Sequence, residues 1–202
     1  MSESIAESGL FSEALERFRA LWEEARAAEP WEANAMSLAT ADTGGRVSVR
    51  TVLLKEVSSA GFAFYTNYDS RKGRDLAANP RAALCFFWRD LRRQVVVEGR
   101  VGRLDSAESD AYFATRSRRA QLGAWASTQS RPLVSRTDLD ARFQMLEREY
   151  AGREVPRPPY WGGYRLAPDL IEFWAPGEGR LNERERYTRG ADGAWSFGLF
   201  NP

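Results

Sequence analysis

The feature that most constrains this chain is a succession of short apolar segments, each followed at once by turn residues. Ala35 to Ala41 runs into Thr43-Gly44-Gly45, Val47 to Val57 into Ser58-Ser59-Ala60-Gly61, and Phe62 to Thr66 completes the series. Short glycine-bearing turns join antiparallel strands, because a parallel pair needs a crossover of about a dozen residues or more. Two adjacent hairpins therefore form an antiparallel meander. Arg81 to Trp88 and Gln94 to Leu104 make a further pair around Arg89-Asp90-Leu91-Arg92. The chain closes with strands Gly163 to Leu166, Leu170 to Trp174, and Arg184 to Thr188 paired with Ala194 to Leu199.

Helices flank and interrupt these strands. Leu10, Ala14, Phe18, Leu21, Trp22 and Ala25 recur at three- and four-residue intervals, which predicts an amphipathic helix over residues 10–26. Asp69 or Ser70 caps a short helix from Arg71 to about Ala78, which stops before Asn79-Pro80. Further helices run from Ser106 to Ala114, Arg118 to Ala126 and Asp138 to Tyr150, the last capped by Thr137. The expected class is mainly β with added helices, an antiparallel closed or split barrel. The expected organisation is one domain over 1–202: an N-terminal helix region 1–30, inserted helices 105–151 and C-terminal strands 160–202.

Composition removes several chemistries. Histidine is absent, which excludes Ser-His-Asp and Cys-His catalysis and the histidine-bearing zinc sites. Cys85 is the only cysteine, so neither an intrachain disulfide nor a cysteine metal cluster can form. Within Ala83-Leu84-Cys85-Phe86-Phe87 it reads as a buried structural thiol. No metal is expected. A net charge of +1 gives no broad attraction for nucleic acid or anionic membrane. The longest apolar run, Ala82 to Trp88, is far below the ~20 residues that span a bilayer, and the acidic N-terminus lacks the apolar core of a signal peptide. A cytoplasmic location follows as the expectation. Difficult chemistry must come from a bound cofactor, or from carboxylate, Lys, Arg or Tyr groups.

Of 29 basic residues only two, Lys55 and Lys72, are lysine, and both fall in one compact segment with Arg50, Thr51, Thr66, Ser70 and Arg71. Lysine offers phosphate a point charge and arginine a planar fork, so this segment reads as an anion site. Arg71 and Lys72 lie in the first turn of the predicted helix, where free N–H groups and the helix dipole favour an anion. Arg50 and Lys55 are five apart, which a flat strand points to opposite faces. Either a bulge separates them or they serve two ligand groups, and a site for two phosphates accounts for the second case. Gln94 before Val95-Val96-Val97, Gln129-Ser130, Trp174, and Arg180, Arg184 and Arg186 around Gly177-Glu178-Gly179 are further candidates. Each also fits a plainer role: a strand end, a core ring or a solvated hairpin.

In order along the chain, Arg50-Thr51-Val52-Leu53-Leu54-Lys55, Phe64-Tyr65-Thr66-Asn67, Ser70-Arg71-Lys72-Gly73-Arg74 and Asn79-Pro80-Arg81 closely resemble the pyridoxine (pyridoxamine) 5′-phosphate oxidases. Arg93-Gln94-Val95, Gln121 to Ser127, Gln129-Ser130, Trp161-Gly162-Gly163-Tyr164, Ile171-Glu172-Phe173-Trp174 and Arg180-Leu181 continue the likeness, which runs from about Leu10 to the C-terminus. The resemblance implies an FMN-binding split β-barrel that forms a homodimer with FMN between the subunits. By position, Arg50, Thr51, Val52, Leu53, Leu54, Tyr65, Thr66, Arg71, Lys72, Gln94, Gln129, Ser130, Trp174 and Arg184 would hold FMN. Lys55, Tyr112 and Arg116 would bind the substrate phosphate, with Arg180 and Asn182 at the reacting end of the substrate. In the family a hydride passes from substrate C4′ to flavin N5, and O2 is reduced to H2O2.

Three departures touch the substrate half. Asn182 stands where family members carry histidine, Ala120 where they carry serine, and Arg116-Ser117-Arg118 where they read Arg-Pro-Arg. The C-terminal Gly198-Leu199-Phe200-Asn201-Pro202 also lacks the usual Arg-Leu-x-Pro. Asparagine can donate and accept a hydrogen bond but carries no charge. Three expectations result: an FMN oxidase of pyridoxine or pyridoxamine 5′-phosphate; a relative retuned to dihydro-aromatic oxidation of the phenazine type; or a flavin- or pyridoxal-phosphate-binding protein without turnover.

Overall fold

The computed structural model describes residues 2–29 and 32–202; Met1, Pro30 and Trp31, at the limits of the expected 1–30 region, lie outside it. Helix α1 (Ser2–Ala28) precedes β1 (Ala35–Ala41), β2 (Val47–Leu53), β3 (Glu56–Ser58) and β4 (Gly61–Asn67). Then come α2 (Arg71–Ala78), β5 (Arg81–Trp88), β6 (Arg93–Arg103), α3 (Ser106–Thr115), α4 (Arg118–Ala126) and α5 (Arg136–Glu149). Strand β7 (Trp161–Ala175), a 3-10 turn at Glu178–Arg180, β8 (Glu183–Arg189) and β9 (Trp195–Leu199) complete the chain. Every pairing is antiparallel, in the order β2-β1-β5-β6-β7-β4-β3, with β8 joined to β7 and β9 to β8.

Consecutive strands β2 and β3 lie at the two ends of that order, so the sheet curls into a half-barrel. The expected strand Val47 to Val57 breaks at this point. Asn34 takes both backbone groups of Leu54: its carbonyl accepts the Leu54 N–H at 2.8 Å, and its side-chain amide donates to the Leu54 carbonyl at 3.0 Å. Lys55 then donates to Ala63 O at 2.8 Å, and the chain has changed partner from β1 to β4. That switch, and no bulge within one strand, separates Arg50 from Lys55.

The two expected strands Gly163 to Leu166 and Leu170 to Trp174 are instead one 15-residue strand, β7. Pro168 does not end it, because the ladder shifts register between Glu98 and Gly99 opposite this point, and a bulge tolerates the missing N–H. A Cβ on Gly99 would lie 2.0 Å from Ala167 O, so only glycine admits this approach. The first half of β7 lies between β6 and β4, its second half between β6 and β8.

The core fills the inner side of the curl. Phe18 of α1 meets Phe62 and Phe86 edge-on, each with centroids 4.9 Å apart, over Leu38, Leu84, Val95, Val97 and Leu166. A second cluster, Phe113, Leu122, Val155 and Trp161, holds α3 to α5 against the barrel. In β5, Ala82, Leu84, Phe86 and Trp88 alternate inward, which leaves Cys85 half-buried on the outer face, not in the core as expected. Helix α5 is capped by Ser135, which accepts from Asp138 N at 3.1 Å, and not by Thr137.

Candidate active site

Ser70, fully buried, caps α2 by accepting from Gly73 N at 3.3 Å, and this sets the direction of the helix N-terminus. Position 73 must be glycine, since a Cβ there would meet Tyr68 O at 2.0 Å. Arg71 and Lys72 therefore occupy the first turn as the sequence predicts. Lys72 Nζ is buried, and it donates to Gln129 Oε1 at 2.9 Å, Thr66 Oγ1 at 3.2 Å and Ser70 Oγ at 3.4 Å. All three acceptors are neutral, and no ion pair engages Lys72 among the described residues. Burial, with the nearby Arg50 charge, pushes its pKa down to about 8.

Arg50 points inward from β2, donating to Thr40 Oγ1 at 2.8 Å and Leu38 O at 3.1 Å. Its carboxylate neighbour Asp75 is 3.9 Å away and is itself held by Thr40 and Ser48 at 2.7 and 3.1 Å. Burial lowers the Arg50 pKa, Asp75 opposes that shift, and Arg71 adds to it. A buried ammonium with only neutral partners, beside a helix N-terminus and two guanidinium groups, fits a phosphate dianion.

A second cationic pocket lies on the helical side. Tyr65 stacks on Tyr112 with centroids 3.8 Å apart, and both rings are within 15° of parallel to Trp161. The Arg116 guanidinium lies 4.6 Å from the Trp161 ring centre, and its buried Nη1 has no hydrogen-bond partner. Burial lowers the Arg116 pKa. Lys55 Nζ lies 6.0 Å from the Tyr112 ring centre, so Lys55 and Arg116 both lie against the slab that Tyr65, Tyr112 and Trp161 form. A cavity of about 250 Å³ runs between Gln129 and Asn67 on one side and Arg116, Ala120 and Trp161 on the other. Gln129, which accepts from Lys72, and Arg116 line this cavity together, whereas Lys55 lines a separate one with Asn34 and Leu54.

The remaining candidates are elsewhere. Gln94, Trp174 and Arg184 are direct cross-strand neighbours, one on each of β6, β7 and β8, and form a row on the outer face. Thr51 lies on the same face at the exposed edge strand. Leu54 is in the core, with both backbone groups engaged by Asn34. Val52 and Leu53 are half-buried at the end of β2, and Ser130 is an exposed turn residue with φ +65°. Arg180 is exposed at φ +64°, and Asn182 Oδ1 accepts from Gly177 N at 3.3 Å, closing the turn between β7 and β8. Fourteen residues of β7, a contour of roughly 40 Å at ~3.3 Å per step, run from Trp161 beside Arg116 to Trp174 beside this turn. At the two ends of β7 the cavities differ: Trp174 and Glu183 line one, Trp161 and Arg116 the other.

Sequence reading missed Asp75 and Glu172. Glu172 is 7% exposed and takes both Arg184 and Arg186. Its signal was a lone carboxylate inside the apolar run Leu170-Ile171-Glu172-Phe173-Trp174.

A curled antiparallel half-barrel with paired cationic pockets at one edge and a polar row on its outer face defines a split-barrel protein. Residues 21–149 match the family model of pyridoxamine 5′-phosphate oxidase, and residues 161–202 match the pyridoxine 5′-phosphate oxidase C-terminal dimerisation region. The chain is 54% identical over 189 residues to a pyridoxine/pyridoxamine 5′-phosphate oxidase of Rubrobacter xylanophilus, covering 94% of this chain and 87% of that one. It is 55% identical to the enzyme of that name from Sphingopyxis alaskensis, covering 92% and 85%. Among solved structures, PhzG from Burkholderia lata in complex with tetrahydrophenazine-1-carboxylic acid superposes with a TM-score of 0.85 at 35% identity, covering 93% of this chain and 90% of that one. The chain belongs to the pyridoxamine 5′-phosphate oxidase family and is an oxidase of that type. Among the described residues no helix is long and apolar enough to cross a membrane.

Proposed function

We propose that this chain is an FMN-dependent oxidase that converts pyridoxine 5′-phosphate or pyridoxamine 5′-phosphate to pyridoxal 5′-phosphate, with O2 reduced to H2O2. The observation that carries the reading is that Gln129, the partner of the buried Lys72, lines one cavity together with Arg116, whose Nη1 is unpartnered. Two phosphate-bearing ligands held side by side need such a pair of cations. The residues present fit FMN: Lys72, Arg71, Arg50, Thr66, Gln129 and Ser130 would take its phosphate end. Bound FMN supplies the two-electron acceptor that no side chain of this chain offers.

The protein's own contribution is to bind and orient. Arg116 and Lys55 neutralise the substrate phosphate, and Tyr112, packed against Tyr65, fixes the wall beside it. The Arg180 turn follows the opposite end of β7 from Trp161, and it serves the Arg116 pocket of a second copy, and Gln94, Trp174 and Arg184 likewise serve the FMN of that copy. The match of residues 161–202 to a dimerisation region supports such a homodimer. Asn182 closes the turn that presents Arg180 and leaves no ionisable group in its place.

A second reading, oxidation of a dihydro-aromatic acid, has Ala120 in its favour. This residue lines the cavity next to Arg116 and contributes no hydroxyl to a phosphate. The higher identity to the vitamin phosphate oxidases supports the first reading. Oxygen uptake by the FMN-loaded protein separates the readings. Turnover is expected with pyridoxamine or pyridoxine 5′-phosphate and not with a reduced phenazine carboxylic acid; the reverse pattern selects the second reading. A yellow protein that consumes no oxygen with any of these overturns both.

A further inference from the structure

The outer row of β6, β7 and β8 has a carboxylate at its back whose geometry is more fully specified than that of any ligand-facing residue beside it. Glu172 points to the outer face of β7, one register step from Trp174, and is 7% exposed. Its Oε1 accepts from Arg184 Nε at 3.0 Å and Nη2 at 2.9 Å, and its Oε2 accepts from the same Nη2 at 3.0 Å. The same Oε2 accepts from Arg186 Nε at 2.9 Å and Nη2 at 2.5 Å. Two guanidinium groups are thus gripped along their Nε–Nη2 edges by one carboxylate, an arrangement that charge-assisted hydrogen bonds make rigid.

The grip fixes what each arginine can still do. Arg186 lies over Phe200, 4.0 Å from the ring centre, and has no freedom to swing. Arg184 keeps only Nη1 outside the grip, where it donates to Asn201 O at 3.2 Å. Arg184 is the direct partner of Trp174 across the ladder. Without the carboxylate, two like charges on alternate residues of one strand would repel, and each long side chain would disperse into its rotamers.

The geometry points to Glu172 as the positioning residue of this face: it orients Arg184 toward the flavin supplied by a second copy, and it halves the positive charge that the flavin meets there. This rests on the reading that Arg184 contacts FMN. Glu172 itself touches neither substrate nor cofactor, so it acts through Arg184.

A double-mutant cycle on the full-length chain tests the assignment, with the FMN dissociation constant from flavin fluorescence quenching as readout. Glu172→Gln keeps the shape and removes the charge; about tenfold weaker FMN binding is expected, the worth of one charge-assisted hydrogen bond. In an Arg184→Ala background the same change is expected to add nothing. Should Glu172→Gln fail to fold, Glu172→Asp, whose shorter arm cannot span both arginines, is expected to show a smaller loss that Arg184→Ala again cancels. A full Glu172 effect in the Arg184→Ala background overturns the assignment and makes the residue merely structural. An Arg184→Ala variant that binds FMN as tightly as the parent overturns the prior reading of Arg184, a distinguishable failure. The midpoint potential of the bound flavin gives an independent signature. Glu172→Gln is expected to shift it positive, since less neutralised arginine favours the reduced, anionic flavin, and an unchanged potential overturns the charge-setting half of the assignment.

Discussion

The cradle around Lys72 and the row around Glu172 handle positive charge in opposite ways. In the cradle, a buried ammonium is surrounded by neutral oxygens of Gln129, Thr66 and Ser70, and its pKa is pushed down to about 8. On the row, two half-buried guanidinium groups share a buried carboxylate and are locked in place. A buried cation without a counter-charge is a standing cost to the fold, and it is relieved when an anion arrives. A compensated pair costs less and attracts little, but it holds a shape. Under the proposed function the cradle serves affinity for a phosphate and the row the orientation of a ring.

Exchanging the cradle's charge tests this most severely. Lys72→Met is expected to weaken FMN binding about a hundredfold or more, as measured by fluorescence quenching, because a charge-assisted contact to a dianion is lost. The same change is expected to raise the melting temperature of the FMN-free protein by about 2–4 °C, since a desolvated charge has been removed. A lower melting temperature in the FMN-free state would break the comparison.

Mixing chains gives the next largest effect. Lys72→Met and Arg184→Ala subunits, denatured and refolded together, are expected to recover about a quarter of full flavin sites, because half the dimers are hybrids and each has one intact site. Recovery no greater than the sum of the separate variants would place cradle and row in the same subunit's site.

The pH dependence sharpens the cradle's half. Lys72 has a folded pKa of about 8 against its ordinary 10.5, so between these values the unfolded chain holds a proton that the folded chain has released. Stability of the FMN-free protein is therefore expected to rise with pH across that window. FMN affinity is expected to fall over the same window as Lys72 loses its charge. Melting curves and titrations at about pH 7.5 and about pH 9.5 check both signs, and Lys72→Met should flatten both trends.

Ala120→Ser is the gentlest probe. A hydroxyl placed in the cavity beside the unpartnered Arg116 Nη1 is expected to lower KM for pyridoxine 5′-phosphate about threefold to tenfold, the worth of one neutral hydrogen bond at ~1 kcal/mol, with kcat little changed. No change would assign Ala120 to a wall the phosphate does not reach.

The cradle was legible in the sequence because its parts are local. Ser70, Arg71 and Lys72 are adjacent, and a helix start following a cap residue places them together without help from the rest of the fold. The row was legible only through resemblance. Gln94, Trp174 and Arg184 are far apart along the chain, and only the ladder register makes them neighbours. The break at Leu54 and the continuity of β7 through Pro168 both went against local signals. In each case a partner distant in sequence, Asn34 for the first and Gly99 for the second, supplied what the local pattern lacked. Cys85 sits in an apolar run yet faces outward, because alternation in β5 overrides the hydrophobicity of its neighbours.

By itself, the sequence determined the antiparallel hairpins, the cap and cations of α2, the absence of histidine chemistry, and a family likeness along nearly the whole chain. These follow from turn chemistry, residue identity and order, which act over a few residues. Only the tertiary structure decided that the sheet curls with β2 and β3 at its two ends, that Arg116 is half-buried with its Nη1 enclosed and unpartnered, and that the Arg180 turn follows the opposite end of β7 from Trp161, over which that arginine lies. It also decided that Glu172 grips two arginines. Burial, register and the path of a bent strand depend on contacts between distant segments, and those exist only once the chain has closed on itself.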